Sequence, residues 1–221
     1  MAIGTARRLC GTFALAAFLA LAFMPEVHAA NCGASAGPGV DWTDCRKRNL
    51  MLDGTNLTGA VLDSTDLTST DLRKAKLGQT NFVKAGRAML DGSMAAGADF
   101  EKAQGYRTSF VGTELTGANF TKSEMQRADF TNARLVDADF TKSELGRALF
   151  AGADISGVDF SFANLARADF RNSVFSAPLQ FAKAYLYRTR IEGLDLSTAR
   201  NLEQWQGDLA CGGGETPLPE G

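Results

Sequence analysis

Apolar residues recur at every fifth position along most of the chain. Leu57, Leu62, Leu67, Leu72, Leu77 and Phe82 begin the series, with Leu52 one step earlier. The register slips around residues 83–87, where keeping it would bury Arg87, and resumes at Leu90 and Ala95. From Phe100 to Phe175 every fifth residue is apolar except Gly105. Ser176-Ala177-Pro178 then adds one residue, and Phe181, Leu186, Ile191 and Leu196 continue in the shifted register, giving 28 central positions. A period of five suits neither regular element. A helix turns about 100° per residue, so a step of five lands about 140° away and makes no apolar stripe. A straight strand alternates with period two, so an odd step throws successive apolar residues onto opposite faces.

Two residues before most centres lies a small side chain, such as Ala98, Thr108, Ala118, Ser123, Ala128, Ala138 or Ala168, and the residue between is usually Asp, Asn or Glu. In an extended segment, positions i and i−2 point the same way and i−1 points the other way. The centre and the small residue therefore face inward together. For the next centre to face inward as well, the chain must turn a corner once per pentad, and Asn, Asp, Ser, Thr and Gly supply that turn chemistry. The predicted object is a coil that bends every five residues around a narrow core.

Residues 118–137, ANFTKSEMQRADFTNARLVD, and 138–157, ADFTKSELGRALFAGADISG, are near-copies, so twenty residues is a second period. The pattern A-(D/N)-(L/F)-x-x recurs in Ala98-Asp99-Phe100, Ala118-Asn119-Phe120, Ala128-Asp129-Phe130, Ala138-Asp139-Phe140 and Ala163-Asn164-Leu165. Over roughly residues 49–200 it resembles the pentapeptide repeat family. That resemblance implies an all-β fold, a right-handed quadrilateral β-helix with four pentads per coil. Twenty-eight pentads then make about seven coils, a rod about 34 Å long at about 4.8 Å per coil. In a four-sided coil ten residues lead to the opposite side. The Phe residues at 100, 110, 120, 130, 140, 150, 160 and 170 should therefore form two opposed stacks, alternating with aliphatic stacks.

A solenoid exposes strand edges at its ends and needs caps. Residues 31–48, NCGASAGPGVDWTDCRKR, lack the period and are expected to form the N-terminal cap. Residues 201–221 lose the fives again and resemble the closing segment of many secreted members of the family. A short helix with Asn201 as N-cap is expected there, and Trp42 and Trp205 are expected to cover the two ends.

Residues 1–30 do not belong to the coil. Arg7-Arg8 precede a sixteen-residue, mostly apolar run, LCGTFALAAFLALAFM, and Val27-His28-Ala29-Ala30 supplies a small-x-small site. This is the layout of a cleaved signal peptide, and it predicts a periplasmic or secreted protein with no stable membrane insertion after cleavage. Removing it leaves 21 basic and 24 acidic residues, too balanced to argue for nucleic acid. It also removes His28, the sole histidine, and with it histidine general bases, triads and His-containing metal sites. Three cysteines remain, Cys32, Cys45 and Cys211. Cys32 and Cys45 share one cap while Cys211 follows the last coil, so a Cys32–Cys45 disulfide is expected and Cys211 is left unpaired, since bonded Cα atoms lie within about 7 Å.

No catalytic, metal or cofactor arrangement emerges. The carboxylates recur at i−1 all along the rod, as Asp99, Glu124, Asp129, Asp139, Glu144, Asp154, Asp159 and Asp169, which points to service of the repeat. The expected function is a non-enzymatic interaction scaffold whose partner is a protein or an anionic polymer. The candidate contact lies two residues after the centres: Lys102, Lys122 and Lys142 on one side, Arg107, Arg127, Arg147 and Arg167 on the adjacent side. The facing sides carry Gly112, Asn132, Gly152, Gly117, Asp137 and Gly157. The competing reading is a solvated face whose charge is offset by Glu124 and Glu144. The resemblance also implies an alternative function, that of the cytoplasmic members that mimic DNA and bind type II topoisomerases. That role needs a densely negative rod, which this composition does not provide.

Overall fold

The computed structural model describes residues 30–82, 85, 88–212 and 217–219. The expected signal segment lies outside the described residues apart from Ala30, as do 83–84 and 86–87 in the slipped register. The described chain is a repeat β-solenoid. Its sheet consists mostly of single parallel bridges, among them Asp99 to Asn119, Asn119 to Asp139 and Asp139 to Asp159, each spanning twenty residues. Only β1 (Thr70–Asp71) and β2 (Ala88–Met89) extend to two residues, and they pair in parallel.

One backbone rule repeats along the coil. The centre's amide donates to the i−1 carbonyl of the next coil, as Phe120 does to Asp139 at 2.7 Å. The i−1 amide donates back to the previous coil, as Asp139 does to Ala118 at 3.0 Å. Between pentads the small residue's amide closes a four-residue turn on the preceding centre, as Ala118 does on Leu115 at 3.0 Å. The third residue of that turn, at i+2, takes a left-handed φ near +60°, as at Lys102, Arg107, Gly112 and Gly117. This turn is the corner that a period of five demands.

The core follows the inward pattern. Phe100, Phe120, Phe140 and Phe160 stack with centroids 4.5–5.6 Å apart, and Phe110, Phe130, Phe150 and Phe170 with centroids 4.6–5.1 Å apart. The two stacks meet edge to face, for example Phe130 with Phe140 at 5.5 Å, an arrangement that aromatic quadrupoles favour. The small i−2 residues, such as Ala118, Ala128 and Ala138, are buried as well. At three of these positions a threonine hydroxyl donates to a carbonyl of the preceding coil: Thr65 to Trp42, Thr80 to Leu57 and Thr113 to Leu90, at 2.7–2.8 Å.

The breaks in the period have definite sizes. Across the slip, bridges such as Lys76 to Met94 and Asn81 to Asp99 span eighteen residues, so one coil is short by two. After Pro178, bridges such as Asn164 to Tyr185 and Asp169 to Arg190 span twenty-one, so one coil is long by one. Gly105 is a centre without a side chain because Met125 of the next coil occupies its place, and a Cβ there would collide with Met125 Sδ. A small apolar cavity of about 20 Å³ remains beside it.

The N-terminal end follows expectation and the C-terminal end departs from it in part. Cys32 and Cys45 are disulfide-bonded with Cα atoms 5.5 Å apart, and Cys211 is free and exposed. Trp42 is 1% exposed and donates its ring N–H to Ala34 O. At the other end, α1 (Gln204–Leu209) is capped by Glu203 and not by Asn201, because the Glu203 amide donates to Gln206 Oε1 at 2.8 Å. Trp205 is 46% exposed and does not cover the coil end. Gln206 does so instead: it is fully buried and donates to Phe181 O and Ala184 O, both at 2.8 Å. An apolar or acidic residue would leave those two carbonyls without a donor, whereas an amide satisfies both.

Candidate partner-binding surface

The corners build the candidate surface. Each i+2 amide donates to the i+1 carbonyl of the next coil, which stacks like corners into columns. Lys102 bonds to Thr121, Lys122 to Thr141, Lys142 to Ser161 and Phe162 to Ala182, so the lysine corner runs Lys102, Lys122, Lys142, Phe162, Lys183. Arg107 bonds to Gln126, Arg127 to Gly146, Arg147 to Ala166, Arg167 to Tyr187 and Arg188 to Leu209, so the arginine corner runs Arg107, Arg127, Arg147, Arg167, Arg188. All seven cations expected from the sequence thus fall in two adjacent columns. Arg127 is half-buried and the other six are exposed. Lys183 and Arg188 extend the columns. They escape the twenty-residue spacing because the extra residue after Pro178 displaces them by one, and carrying the series across that insertion would have found them.

Backbone conformation sharpens the picture. Arg107, Arg127, Arg147 and Arg167 hold φ values of 58°, 59°, 62° and 61°. Glycine occupies this region at no steric cost and Asn and Asp tolerate it, whereas other side chains strain there by about 1–3 kcal/mol. The facing corners obey that preference with Gly112, Gly152, Gly117 and Gly157 beside Asn132 and Asp137. The basic corners set long cationic side chains at the same conformation.

The expected charge offset takes a different form. Glu101 pairs with Lys102 at 2.8 Å and Lys122 at 3.5 Å, and these lysines hold its carboxyl below the usual range. Glu124 and Glu144 make no ion pair among the described residues, and neither do Arg107, Arg127, Arg147 and Arg167. Arg107 and Arg127 lie instead over the Tyr106 ring, 5.3 and 5.8 Å from its centroid, contacts of about 0.5–1 kcal/mol at an exposed site. Elsewhere on the rod some charges do pair. Asp71 is fixed by the Arg73 guanidinium, which pulls its pKa down to about 2, and Arg171 holds Asp169 low in the same way.

The i−1 carboxylates and amides serve the turns. Asp99, Asn119, Asp129, Asp139, Asp159 and Asn164 each accept the amide of the residue two ahead, at 2.7–3.1 Å. This is why short Asx side chains dominate that position. They are corner caps as well as solvated groups, a role the sequence reading missed.

A sequence model of the pentapeptide repeat region matches residues 92–160, and one of eight-copy pentapeptide repeats matches residues 51–85. The chain belongs to the pentapeptide repeat family. Among solved pentapeptide repeat structures, QnrB1, described as a plasmid-mediated fluoroquinolone resistance protein, shares 18% identity at a TM-score of 0.51, covering 76% of this chain and 88% of its own. HetL, a pentapeptide repeat protein involved in heterocyst differentiation regulation in the cyanobacterium Nostoc sp. strain PCC 7120, shares 20% identity at a TM-score of 0.33, covering 77% and 87%. A pentapeptide repeat protein from the thylakoid lumen of Arabidopsis thaliana shares 22% identity at a TM-score of 0.28, covering 59% and 71%. No curated protein matches the chain. At these identities the QnrB1 likeness speaks for the pentapeptide repeat fold and for nothing more.

Proposed function

We propose that this pentapeptide repeat protein is exported, loses residues 1–30 and acts in the periplasm or outside the cell as a non-enzymatic scaffold. Its rod of about seven right-handed coils, closed by residues 31–48 and 201–221, presents the lysine and arginine corners to an anionic partner. The observation that carries this reading is the placement of ten cation or aromatic side chains at left-handed corner positions on two adjacent sides, where facing corners of the same coils use Gly112, Gly117, Asn132, Asp137, Gly152 and Gly157. DNA mimicry requires unbroken negative columns along the rod, and the two basic corners interrupt them.

Replacing Arg127 and Arg147 together by Gln tests the reading. Both replacements keep a long polar side chain, so the melting temperature should hardly move. Partner retention from an extracellular or periplasmic extract should weaken, and its salt dependence should flatten. Unchanged retention with a lowered melting temperature makes the columns scaffold. Inhibition of a type II topoisomerase by the purified chain would favour the mimicry reading instead.

A further inference from the structure

The last coils carry a feature that a simple cationic column does not explain. Phe162 occupies the lysine corner between Lys142 and Lys183, is 49% exposed, and holds a φ of 60°. A bulky aromatic at this conformation is an outlier, since it combines backbone strain with loss of hydrophobic burial. The Lys142 and Lys183 ammonium groups flank its ring, 5.8 and 5.7 Å from the centroid. One coil further, on the same side, Tyr185 and Tyr187 are 45% and 37% exposed with nearly parallel rings 6.1 Å apart. Arg188 lies over Tyr187 at 5.3 Å. Three exposed rings and four cations, counting Lys142, Lys183, Arg188 and the neighbouring Arg167 of the arginine corner, thus crowd one end of one side.

We propose that this cluster is a binding site for an acidic polysaccharide, a chain of uronic acid sugars. The proposal rests on the reading of the basic corners as a partner-binding surface and names the chemistry of that partner. Exposed ring faces accept the C–H faces of pyranose rings, tyrosine hydroxyls add donors and acceptors, and the flanking cations pair with the sugar carboxylates. Spacing separates this partner from an acidic peptide. Like-facing carboxylates on an extended peptide lie two residues apart, about 6.6 Å, whereas the corner cations rise about 4.8 Å per coil. The peptide falls out of step within two or three coils. A uronic acid chain carries one carboxylate on every ring together with a C–H face for the exposed aromatic rings, a pairing that an acidic peptide lacks. The aromatic cluster then fixes one end of the polymer, and the arginine corner guides the rest along the rod.

Calorimetric titration of the purified chain with oligogalacturonate, polyglutamate, a single-stranded oligonucleotide and neutral dextran tests this. Oligogalacturonate should bind, with polyglutamate and the oligonucleotide weaker and dextran silent. Phe162→Gly, which also relieves the backbone strain, and Tyr185→Ala with Tyr187→Ala should each weaken oligogalacturonate by about tenfold or more while leaving the salt dependence intact. Arg127→Gln with Arg147→Gln should flatten the salt dependence instead. Circular dichroism melts confirm that each variant is folded, and Phe162→Gly should melt no lower than the parent. The proposal is overturned if oligogalacturonate fails to bind, if polyglutamate or the oligonucleotide binds as tightly, or if the aromatic variants bind like the parent. In each of those cases the scaffold reading survives as long as the Arg127/Arg147 variant still loses partner retention.

Discussion

The arginine corner and the glycine corner that follows it in the chain share a backbone and differ in nearly everything else. Arg127 and Gly112 sit at φ values of 59° and 64°, each in the third position of the same turn, each donating to the next coil. On the glycine side, from Gly92 through Gly112, Asn132 and Gly152 to Asn172, the residues match what that conformation prefers, and Lys74 one coil earlier is the exception. On the arginine side they contradict it coil after coil, and no ion pair among the described residues compensates. The backbone cannot be what selects arginine there, because the neighbouring corner shows what the backbone selects. This difference is what motivates the proposal that the arginines serve a partner outside the fold.

Substitutions that affect the two corners unequally sharpen this comparison, and the core provides the scale. Phe140→Ala removes a ring from the middle of a stack that serves every side alike. It should lower stability by about 3–5 kcal/mol, read from denaturant midpoints. Gly152→Arg places an arginine on the glycine corner, where a Cβ would meet the Asn132 side chain, and should cost about 1–3 kcal/mol. If that variant were as stable as the parent, left-handed arginine would be cheap and the contrast between corners would lose its force. Asp139→Ala removes the acceptor of the Thr141 amide (2.7 Å) and the Thr121 hydroxyl (3.2 Å). The loss should be about 1–2 kcal/mol, clearly below that of Phe140→Ala one residue away. Equal losses would reverse the inward and outward assignment.

The parts of this molecule that were legible in its sequence are those with one dominant physical demand. A centre such as Phe140 must be apolar and its partner Ala138 must be small, so the period of five and the two-residue offset are open to inspection. The twenty-residue period placed the cation columns for the same reason. The left-handed corner was less legible because Lys102 and Arg107 conceal the signal that Gly112 and Gly117 display. Asp139 reads as a solvated acid until the coil closes and sets it over the Thr141 amide. Phe162 stands twenty residues after Lys142 and so falls on the lysine corner by period alone, but its position between two lysines shows only in the fold, because the extra residue after Pro178 displaces Lys183. The C-terminal cap was the least legible, since Gln206 acquires its role from two carbonyls more than twenty residues away in sequence.

The central claim is that the arginine corner is dispensable to the fold. The melting temperature of the chain with Arg107, Arg127, Arg147 and Arg167 all replaced by Gly tests it most directly, and requires no partner. Relief of strain at four left-handed positions, about 1–3 kcal/mol each, should match or exceed the added entropy of four glycines in the unfolded chain, about 0.5–1 kcal/mol each. The account predicts a melting temperature equal to or above that of the parent. A melting temperature several degrees lower would show that the arginines hold the coils together, and would contradict it.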